Sequence, residues 1–467
     1  METTIFPRRM TTWKVKERPQ LIGNYQGGQS DLHGQILTMR AVLCFSRKIG
    51  IGNTCMNNKI CIVIGASHAG VTLGLQLRKE GWEGAIKLIG TEKELPYHRP
   101  PLSKEHLAGN KELDGIRLRP VKVFEENGIE LLLGSTALEI DRANKVVNLN
   151  DGQALHYDKL AICTGSLVRT LPFDSDFTNI IYVRTAADVA QLKRYVHPGK
   201  KALIIGAGYI GLEVAAVLRE QGLEVAVIEM ADRILKRVTS GQMSNFMSEL
   251  HHRRGVEIRT ATQVKEINGD GSIESVICGD GTQYLVDFVI VGVGVTPNVS
   301  LAEQAGLTIN EGILVDEFSR TNDPDIFAAG DCTRHPSGIY DRLIRLESVQ
   351  NANDQARIAA ANICGKQVVY DVVPWFWSDQ YQIKLQMVGL SEGYDEIVCR
   401  GDPDDGEQKG FALFYLKNSR LIAMDCVGRP KEFMAGKQLV KARTNMKTTL
   451  LADEGVEPAD FIQGNSA

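Results

Sequence analysis

The sequence lacks several features that mark whole classes of protein. Its nine cysteines are an odd number, and no two form a CxxC or CxxxxC pair. This excludes zinc-ribbon and dithiol-redox proteins and favours a reducing compartment, for which we expect the cytoplasm. No apolar run approaches the ~20 residues of a membrane span. The net charge of −4 and pI near 6.2 argue against a nucleic-acid partner. We therefore expect a soluble globular protein with inert thiols, no bound metal and no membrane or nucleic-acid partner.

The first 57 residues differ in composition from the rest of the chain. They hold eight Lys/Arg against three acids, a net charge of +5, which leaves −9 for the remainder. A signal peptide is not predicted, because the best apolar run, 39–45, is short and is broken by Arg40. A transit peptide stays conceivable, since 32–57 contains no acid. We expect residues 1–57 to be a poorly ordered N-terminal extension, or the product of a start upstream of a native Met56.

Two strand–turn–helix–strand units begin their turns 141 residues apart. In the first, the apolar run 61–64 leads into a glycine-containing turn, a helical stretch and a second apolar run at 86–89. In the second, 202–205 and 225–228 flank the same arrangement. Short apolar runs of this kind are typical of buried parallel strands. Two such units, each with an acid at the end of the next strand, indicate dinucleotide binding far more strongly than one.

The first turn departs slightly from the dinucleotide fingerprint. Gly65 supplies the tight turn and Gly70 allows close packing of helix and strand, but Ser67 replaces the middle glycine. Glu92, which lies 22 residues past Gly70, can accept hydrogen bonds from ribose hydroxyls.

The second turn matches the fingerprint without substitution. Its predicted nucleotide-binding residues are Gly206, Gly208, Tyr209, Ile210 and Gly211. Glu229 stands at the end of the next strand, where a carboxylate bonds the ribose 2′-hydroxyl and repels a 2′-phosphate. We therefore expect NADH to be preferred over NADPH, although Arg233 and Lys236 are close in sequence.

The segment 95–104, Leu-Pro-Tyr-His-Arg-Pro-Pro-Leu-Ser-Lys, closely resembles the stretch after the FAD fingerprint in the FAD-dependent ferredoxin reductases, the putidaredoxin reductase and aromatic-dioxygenase reductase family. Apoptosis-inducing factors share its Arg…Lys spacing. Further matches are at 163–165, 206–213, 292–298, 328–331, 346–349 and 374–380. The resemblance covers about residues 58–467 and implies an α/β, glutathione reductase-like fold with two Rossmann-like domains, one for FAD and one for NAD.

The resemblance also implies domain boundaries. A discontinuous FAD domain is expected at 58–172 and 293–371, and an NAD domain at 173–292. A C-terminal α+β domain is expected at 372–467, where strands at 411–415 and 421–424 are joined by a turn at 417–419.

Roles for individual residues follow from the resemblance. Arg99 and Lys104 are expected against the FAD, with Lys104 near its reactive edge. Asp331 is expected to bind the ribityl chain, although an acid after a glycine also suits a helix N-cap. Val349 and Trp377 are expected beside or over the flavin ring. Further cofactor contacts are implied at Ala69, Ala137, Thr164, Gly165, Arg169, Gly294 and Gly330.

A catalytic pair is also implied, consisting of Lys104 and Glu213. We expect an ion pair at the flavin edge, with the nicotinamide entering beside it and Glu347 near its amide. A reduced flavin carries negative charge at its pyrimidine edge, so a fixed cation there favours reduction. Hydride transfer needs only aligned rings, so no acid–base dyad is expected.

The lack of cysteine after the first dinucleotide unit limits how electrons can leave the flavin. Residues 97–104 contain no cysteine, so no thiol relay is predicted there. The resemblance implies a small acidic [2Fe–2S] ferredoxin, or a rubredoxin, as partner of a monomeric or homodimeric NADH-dependent reductase. Three alternatives stay open: an NADH oxidase, a rubredoxin or nitrite-type reductase subunit, and an NADH-sensing flavoprotein similar to apoptosis-inducing factor.

Overall fold

A computed structural model of the protein describes residues 59–172 and 177–461. The expected N-terminal extension, 1–57, lies outside these ranges. The first part contains, in chain order, β1 (Ile60–Ile64), α1 (His68–Lys79), β2 (Ala85–Gly90), α2 (Val121–Glu126), β3 (Ile129–Leu133), β4 (Ala137–Asp141), β5 (Val146–Leu149), β6 (Ala154–His156), β7 (Lys159–Ile162) and β8 (Ser166–Val168). The next part contains β9 (Ile180–Ile181), α3 (Ala186–Leu192), β10 (Lys201–Ile205), α4 (Tyr209–Glu220), β11 (Glu224–Ile228), α5 (Gly241–Arg253), β12 (Glu257–Arg259), β13 (Val264–Gly269), β14 (Ile273–Cys278), β15 (Gln283–Leu285) and β16 (Phe288–Val291).

The remainder of the described chain continues with β17 (Val295–Pro297), α6 (Ser300–Gln304), β18 (Ile313–Leu314), β19 (Ile326–Ala328), β20 (Thr333–Ser337), β21 (Arg342–Ile344), α7 (Val349–Ile363), β22 (Trp375–Gln380), β23 (Ile383–Gly389), β24 (Glu396–Arg400), α8 (Gly406–Lys409), β25 (Phe411–Lys417), β26 (Arg420–Val427), α9 (Pro430–Ala442) and α10 (Thr448–Ala452). Short 3₁₀ turns lie at Pro100–Ser103, Leu113–Ile116, Pro403–Asp405 and Pro458–Asp460.

Two parallel five-stranded sheets form the centres of the two predicted units. The first has the order β19-β7-β1-β2-β3 and the second β12-β11-β10-β16-β9. Their central strands are buried almost completely, as the continuous apolar runs predict. Each unit also carries a three-stranded antiparallel sheet, β4-β5-β6 in the first and β13-β14-β15 in the second. The predicted α/β fold with two dinucleotide-binding units is confirmed.

The first sheet is assembled from two distant parts of the chain. Strand β19 pairs with β7 only after the chain has completed the second sheet. The antiparallel pair β8–β17 stands where the chain leaves for the second unit and where it returns. The domain boundaries expected from the sequence stay a prediction, which this topology favours.

The C-terminal part is an antiparallel sheet of order β22-β23-β26-β25-β24 with α9 packed against it. The turn between β25 and β26 has positive φ angles at Asn418 (50°) and Ser419 (62°). Two such residues define a type I′ turn, whose twist matches that of the strands it joins. The predicted α+β domain is confirmed. Within the described ranges, no helix combines the length and the apolarity that crossing a membrane demands.

Candidate active site

The first fingerprint turn carries the end of β1 into α1 with very close backbone contacts. Gly65 has a φ of 114°, and a Cβ atom on it would lie 2.1 Å from the Cys163 carbonyl oxygen. A Cβ on Gly70 would lie 1.9 Å from the Gly65 carbonyl oxygen. Only glycine fits at either position. Ser67 is the N-cap residue of α1, so the free amides of the helix N-terminus open beside this turn.

The turn at Gly330 and Asp331 lies against the same helix N-terminus. A Cβ on Gly330 would lie 3.2 Å from the Cβ of Ala69. Asp331 accepts a hydrogen bond from Ser166 Oγ at 3.1 Å, and Arg184 Nη2 is 3.8 Å from its carboxylate. Burial raises the pKa of Asp331, and the Arg184 guanidinium opposes the shift. Strand β20 follows, so Asp331 is not a helix cap, while its ribityl contact stays a prediction.

The expected ribose ligand Glu92 is held by protein groups. One carboxylate oxygen pairs with Arg99 Nη2, and the other accepts a hydrogen bond from the Tyr97 hydroxyl. Arg99 Nη1 also donates to the Arg184 carbonyl oxygen at 2.6 Å. Arg99 therefore lies between Glu92 and the segment that carries Arg184. A ribose contact by Glu92 stays a prediction, and it would use the remaining acceptor capacity of the carboxylate.

Other residues expected at the FAD cluster around the β8–β17 pair. The Thr164 hydroxyl donates to the Asn298 carbonyl oxygen at 2.7 Å. The amide of Arg169 donates to the Gly294 carbonyl oxygen at 3.0 Å. The positive φ angles of Gly165 (69°) and Gly294 (104°) let the two chain segments turn here.

Ala137 belongs to the small antiparallel sheet of the first unit. It is half-buried and begins β4, where it pairs with Leu149. Its expected contact near the adenine stays a prediction.

The second fingerprint repeats the close contacts of the first and leaves one position open. A Cβ on Gly206 would lie 2.5 Å from the Gly292 carbonyl oxygen, and one on Gly211 would lie 2.3 Å from the Gly206 carbonyl oxygen. Around a Cβ on Gly208, by contrast, no described residue other than its two chain neighbours has an atom within 4 Å. This open glycine fits a dinucleotide whose phosphates approach the backbone. Ile210 is 43% exposed beside it.

Tyr209 faces the C-terminal sheet rather than solvent. Its ring packs against Phe376 with the centroids 4.9 Å apart, and its hydroxyl donates to Met387 Sδ at 2.6 Å. The first residue of α4 is therefore joined to β22 and β23. Its expected cofactor contact stays a prediction.

Glu229 is fixed beside the second fingerprint. Its two carboxylate oxygens accept hydrogen bonds from the amides of Ala207 and Ala231, each at 2.8 Å. The nearby cations are engaged elsewhere. Arg233 donates to three carbonyl oxygens and to Ser244 Oγ, and Lys236 pairs with Asp232 at 3.1 Å. Neither cation is therefore set up to hold a 2′-phosphate, which strengthens the prediction of NADH preference.

The expected ion pair between Lys104 and Glu213 is present. Lys104 Nζ lies 2.6 Å from Glu213 Oε2, and the Glu213 side chain is only 4% exposed. The hydroxyls of Ser103 and Ser378 donate to the two carboxylate oxygens at 2.5 and 2.6 Å. A buried carboxylate is thus compensated by one cation and two hydrogen bonds, as its burial requires.

A cleft opens on the Lys104 side of this pair. It is lined by His98, Pro100, Pro101, Lys104, Glu105, Val349, Trp377 and Asp379. The structure therefore brings together Lys104, Val349 and Trp377, the three residues expected at the flavin ring. Glu347 pairs with Arg345 and is not among the lining residues, so its expected nicotinamide contact stays a prediction.

Three residues of the site had no role in the sequence prediction. Ser103 and Ser378 lie inside motifs that match the family, so the motifs pointed to the segments but not to the hydroxyls. Arg184 precedes a helix capping box, Thr185 with Asp188, and nothing in its spacing linked it to Asp331.

Two dinucleotide-binding units, joined by a Lys104–Glu213 ion pair beside a cleft, define a flavin- and pyridine-nucleotide-dependent oxidoreductase. The comparisons agree with that class. Residues 59–356 match the family described as pyridine nucleotide-disulphide oxidoreductase, and residues 375–461 match the reductase C-terminal domain. The chain belongs to this family, and within it to the ferredoxin reductases. It is an FAD-binding, pyridine-nucleotide-dependent oxidoreductase.

Similar proteins are matched over almost their whole length. Putidaredoxin reductase of Pseudomonas putida is 42% identical over 88% of this chain and 98% of its own. Rhodocoxin reductase of Rhodococcus erythropolis is 40% identical over 84% of this chain and 92% of its own. The crystal structure of a covalent putidaredoxin reductase–putidaredoxin complex matches with a TM-score of 0.85, covering 88% of this chain and 99% of the reductase.

Proposed function

We propose that the chain is an NADH-dependent ferredoxin reductase that delivers electrons to a small acidic [2Fe–2S] ferredoxin serving a monooxygenase or dioxygenase. The observation that carries the proposal is the Lys104–Glu213 pair at a cleft lined by Val349 and Trp377. Bound FAD supplies the redox chemistry, because it accepts two electrons as a hydride and can release them singly. The names of the relatives, which include an anthranilate 1,2-dioxygenase reductase component of Burkholderia cepacia, support this acceptor class.

Lys104 and Glu213 act as one unit in this proposal. The Lys104 ammonium is a fixed positive charge at the edge of the cleft, where negative charge develops on reduction. Glu213 keeps that ammonium in place, since its carboxylate is itself fixed by Ser103 and Ser378. The pair therefore needs little reorganisation when the nicotinamide arrives.

The second fingerprint would hold the NADH. The open position at Gly208 admits the pyrophosphate, and the N-terminus of α4 directs free amides towards it. Glu229, held by two backbone amides, accepts from the ribose 2′-hydroxyl. Its negative charge disfavours NADPH.

Thiols are not the outlet for electrons in this proposal. The seven cysteines of the described ranges are free, and Cys163 and Cys332 adjoin the cofactor motifs. Burial raises the pKa of Cys332 to about 11, and it also raises the pKa of Cys163 well above its usual value. Such thiols are poor nucleophiles at neutral pH. Free thiols also suit a reducing compartment, which we take to be the cytoplasm.

A groove next to the cleft offers a docking face for an acidic partner. Lys79, Arg119 and Arg357 line it, and His98 belongs to both groove and cleft. A ferredoxin bound there would stand beside the flavin, as single-electron transfer requires. Charge attraction of this kind speeds encounter and weakens with salt.

The test is NADH-driven reduction of a [2Fe–2S] ferredoxin by the full-length holoenzyme, followed by the absorbance of the iron–sulfur cluster. We expect turnover well above the rate with oxygen alone, and a decline as ionic strength rises. Rubredoxin is assayed in parallel as the alternative acceptor. If rubredoxin alone raises NADH oxidation, the protein is a rubredoxin reductase. If neither a panel of ferredoxins nor rubredoxin raises it above the oxygen-only rate, the protein is an oxidase or an NADH-sensing flavoprotein instead.

A further inference from the structure

A chain of hydrogen bonds leads from Glu213 into the interior, away from the cleft. Ser378 Oγ donates to Glu213 Oε1 at 2.6 Å, and Gln380 Nε2 donates to Ser378 Oγ at 3.1 Å. Gln380 Oε1 lies 2.8 Å from His251 Nε2, and the Tyr381 hydroxyl lies 3.3 Å from His251 Nδ1. We call Ser378, Gln380, His251 and Tyr381 the Glu213 chain.

The direction of every bond in the Glu213 chain is determined by its two ends. A carboxylate paired with Lys104 is an acceptor only, so Ser378 must donate to it. The Gln380 amide nitrogen then faces Ser378, and its oxygen faces His251, whose Nε2 must carry the hydrogen. Burial lowers the pKa of His251 to about 4, so the ring is neutral at physiological pH and Nδ1 accepts from Tyr381. All four donors point towards Glu213.

The inner links of the Glu213 chain are shielded from water. Ser378 and His251 have no exposed surface, and Gln380 is 1% exposed. Hydrogen bonds aligned in one direction in a medium of low dielectric polarise one another. Such alignment stabilises negative charge on the carboxylate that receives them, and loss of one buried partner leaves the next group unsatisfied.

The bonds also connect elements that are far apart in sequence. Glu213 is on α4 and His251 on α5, both in the second unit, whereas Ser378 and Gln380 are on β22 of the C-terminal sheet. Ser103, from the first unit, holds the other carboxylate oxygen. Trp377 precedes Ser378 on β22 and lines the cleft. The orientation of Glu213 is therefore linked to the position of the strand that carries Trp377.

We propose that Ser378 and Gln380, with His251 behind them, are positioning residues for reduction by NADH. They hold Glu213 in one orientation, so that the Lys104 ammonium stays at the cleft and Trp377 keeps its place beside it. The inference rests on the proposed function only in that NADH is the reductant; it does not depend on which acceptor takes the electrons.

The test uses the full-length holoenzyme in anaerobic stopped-flow reduction by NADH, with no ferredoxin present. Ser378→Ala is expected to slow the limiting rate of flavin reduction roughly tenfold, the scale of one hydrogen bond to a charged group. The NADH dissociation constant is expected to change less than about twofold, because the dinucleotide turn is untouched. The flavin midpoint potential is expected to become more negative as the ammonium loses its fixed partner.

Two further variants and a control make the test specific. Ser378→Thr keeps the hydroxyl and is expected to restore the parent rate, and Gln380→Leu is expected to reproduce the Ser378→Ala defect. Ser275→Ala is the control, because Ser275 is also buried, at 5% exposure, but accepts its hydrogen bond from Gln283 in β15. If Ser378→Ala loses its FAD, Gln380→Leu and Ser378→Thr decide the question. Parent-like rates and potentials in Gln380→Leu would overturn the proposal, and a failed ferredoxin assay would not affect it.

Discussion

At the scale of single residues, Lys104 is the partly buried cation on which the proposed site depends. Lys104→Ala leaves Glu213 with two hydroxyl donors and no positive charge. We expect flavin reduction by NADH to slow about a hundredfold, since a fixed group that stabilises developing charge contributes on this scale. NADH binding is expected to change little. Lys87→Ala, which removes a surface pair with Glu130, is the control in the same stopped-flow measurement. If the flavin of Lys104→Ala is reduced at the parent rate, Lys104 has no role in reduction by NADH.

Glu229 is the residue that we expect to decide between NADH and NADPH. Glu229→Gln preserves an acceptor for a backbone amide but removes the charge that repels a 2′-phosphate. We expect the ratio of kcat/KM for NADH over NADPH to fall by roughly tenfold, the scale of one altered polar contact. The effect is expected to be incomplete, because Arg233 and Lys236 are already bonded within the protein. A parent enzyme that uses both nucleotides equally would contradict the prediction.

At the scale of elements, the glycines at the start of α4 have opposite requirements. Gly211→Ala would place a Cβ 2.3 Å from the Gly206 carbonyl oxygen, so we expect a large loss of stability although alanine usually favours helices. Gly208 has an ordinary φ of −80° and open space around it. Gly208→Ala should therefore keep its Tm and FAD content while its KM for NADH rises roughly tenfold or more. Thermal unfolding measures the loss of stability in Gly211→Ala, and steady-state assays measure the KM for NADH in Gly208→Ala. Unchanged NADH kinetics in Gly208→Ala would contradict the proposed NADH site at this turn.

The contact between β26 and the segment before α5 gives a pH dependence of stability. Asp425 Oδ2 accepts hydrogen bonds from the hydroxyls of Thr239 and of Tyr415, the latter at 2.6 Å. Burial raises the pKa of Asp425 to about 6, although these two bonds oppose the shift. The folded state thus binds a proton more tightly than the unfolded chain, whose pKa is about 3.9. The contribution of Asp425 to stability is therefore greatest below about pH 4 and is lost as pH rises to about 6.

The variant Asp425→Asn tests this dependence. It should be more stable than the parent at pH 7.5, by about 3 kcal/mol at most, and the difference should vanish near pH 4. Asp287→Asn is the opposite control. The pKa of Asp287 is lowered, since hydrogen bonds from Lys200 and from the Lys201 amide outweigh its burial, so this variant should be less stable than the parent at pH 7.5. Denaturant unfolding at pH 7.5 and at pH 4 measures the change in the free energy of unfolding for each variant. If Asp425→Asn changes it equally at both pH values, the pKa of Asp425 is not raised in the folded state.

The sequence predicted the elements that have strong local signals. The buried strands around β1 and β10, the glycine turns and the β25–β26 hairpin all follow from apolar runs and turn residues that are adjacent in the chain. The sequence did not predict the two small antiparallel sheets. Strands such as β4 and β13 mix exposed and half-buried residues and show no regular two-residue period of apolar side chains. The Lys104–Glu213 pair came from the family resemblance, since 109 residues separate the partners. Ser378, Gln380 and His251 could not be connected before the three-dimensional contacts were known.

At the scale of the whole molecule, the groups with a proposed cofactor role lie between residues 65 and 377. The family matches begin at 59 and end at 461. We therefore expect removal of residues 1–55 to leave FAD content and NADH oxidation unchanged, because that segment contains no cofactor motif. Flavin absorbance per protein and an NADH oxidation assay measure the outcome. A shortened protein that cannot retain FAD would show that the segment contributes to the fold.

The late arrival of β19 has a consequence for how the protein is made. As the chain leaves the ribosome, all strands of the second sheet, from β9 to β16, are available before β19 is synthesised. The first sheet must wait with β7 as an open edge, and such edges invite wrong pairing. Nascent chains that end between β16 and β19 should therefore carry a folded nucleotide unit beside an incomplete one, and these are the chains that chaperones should bind.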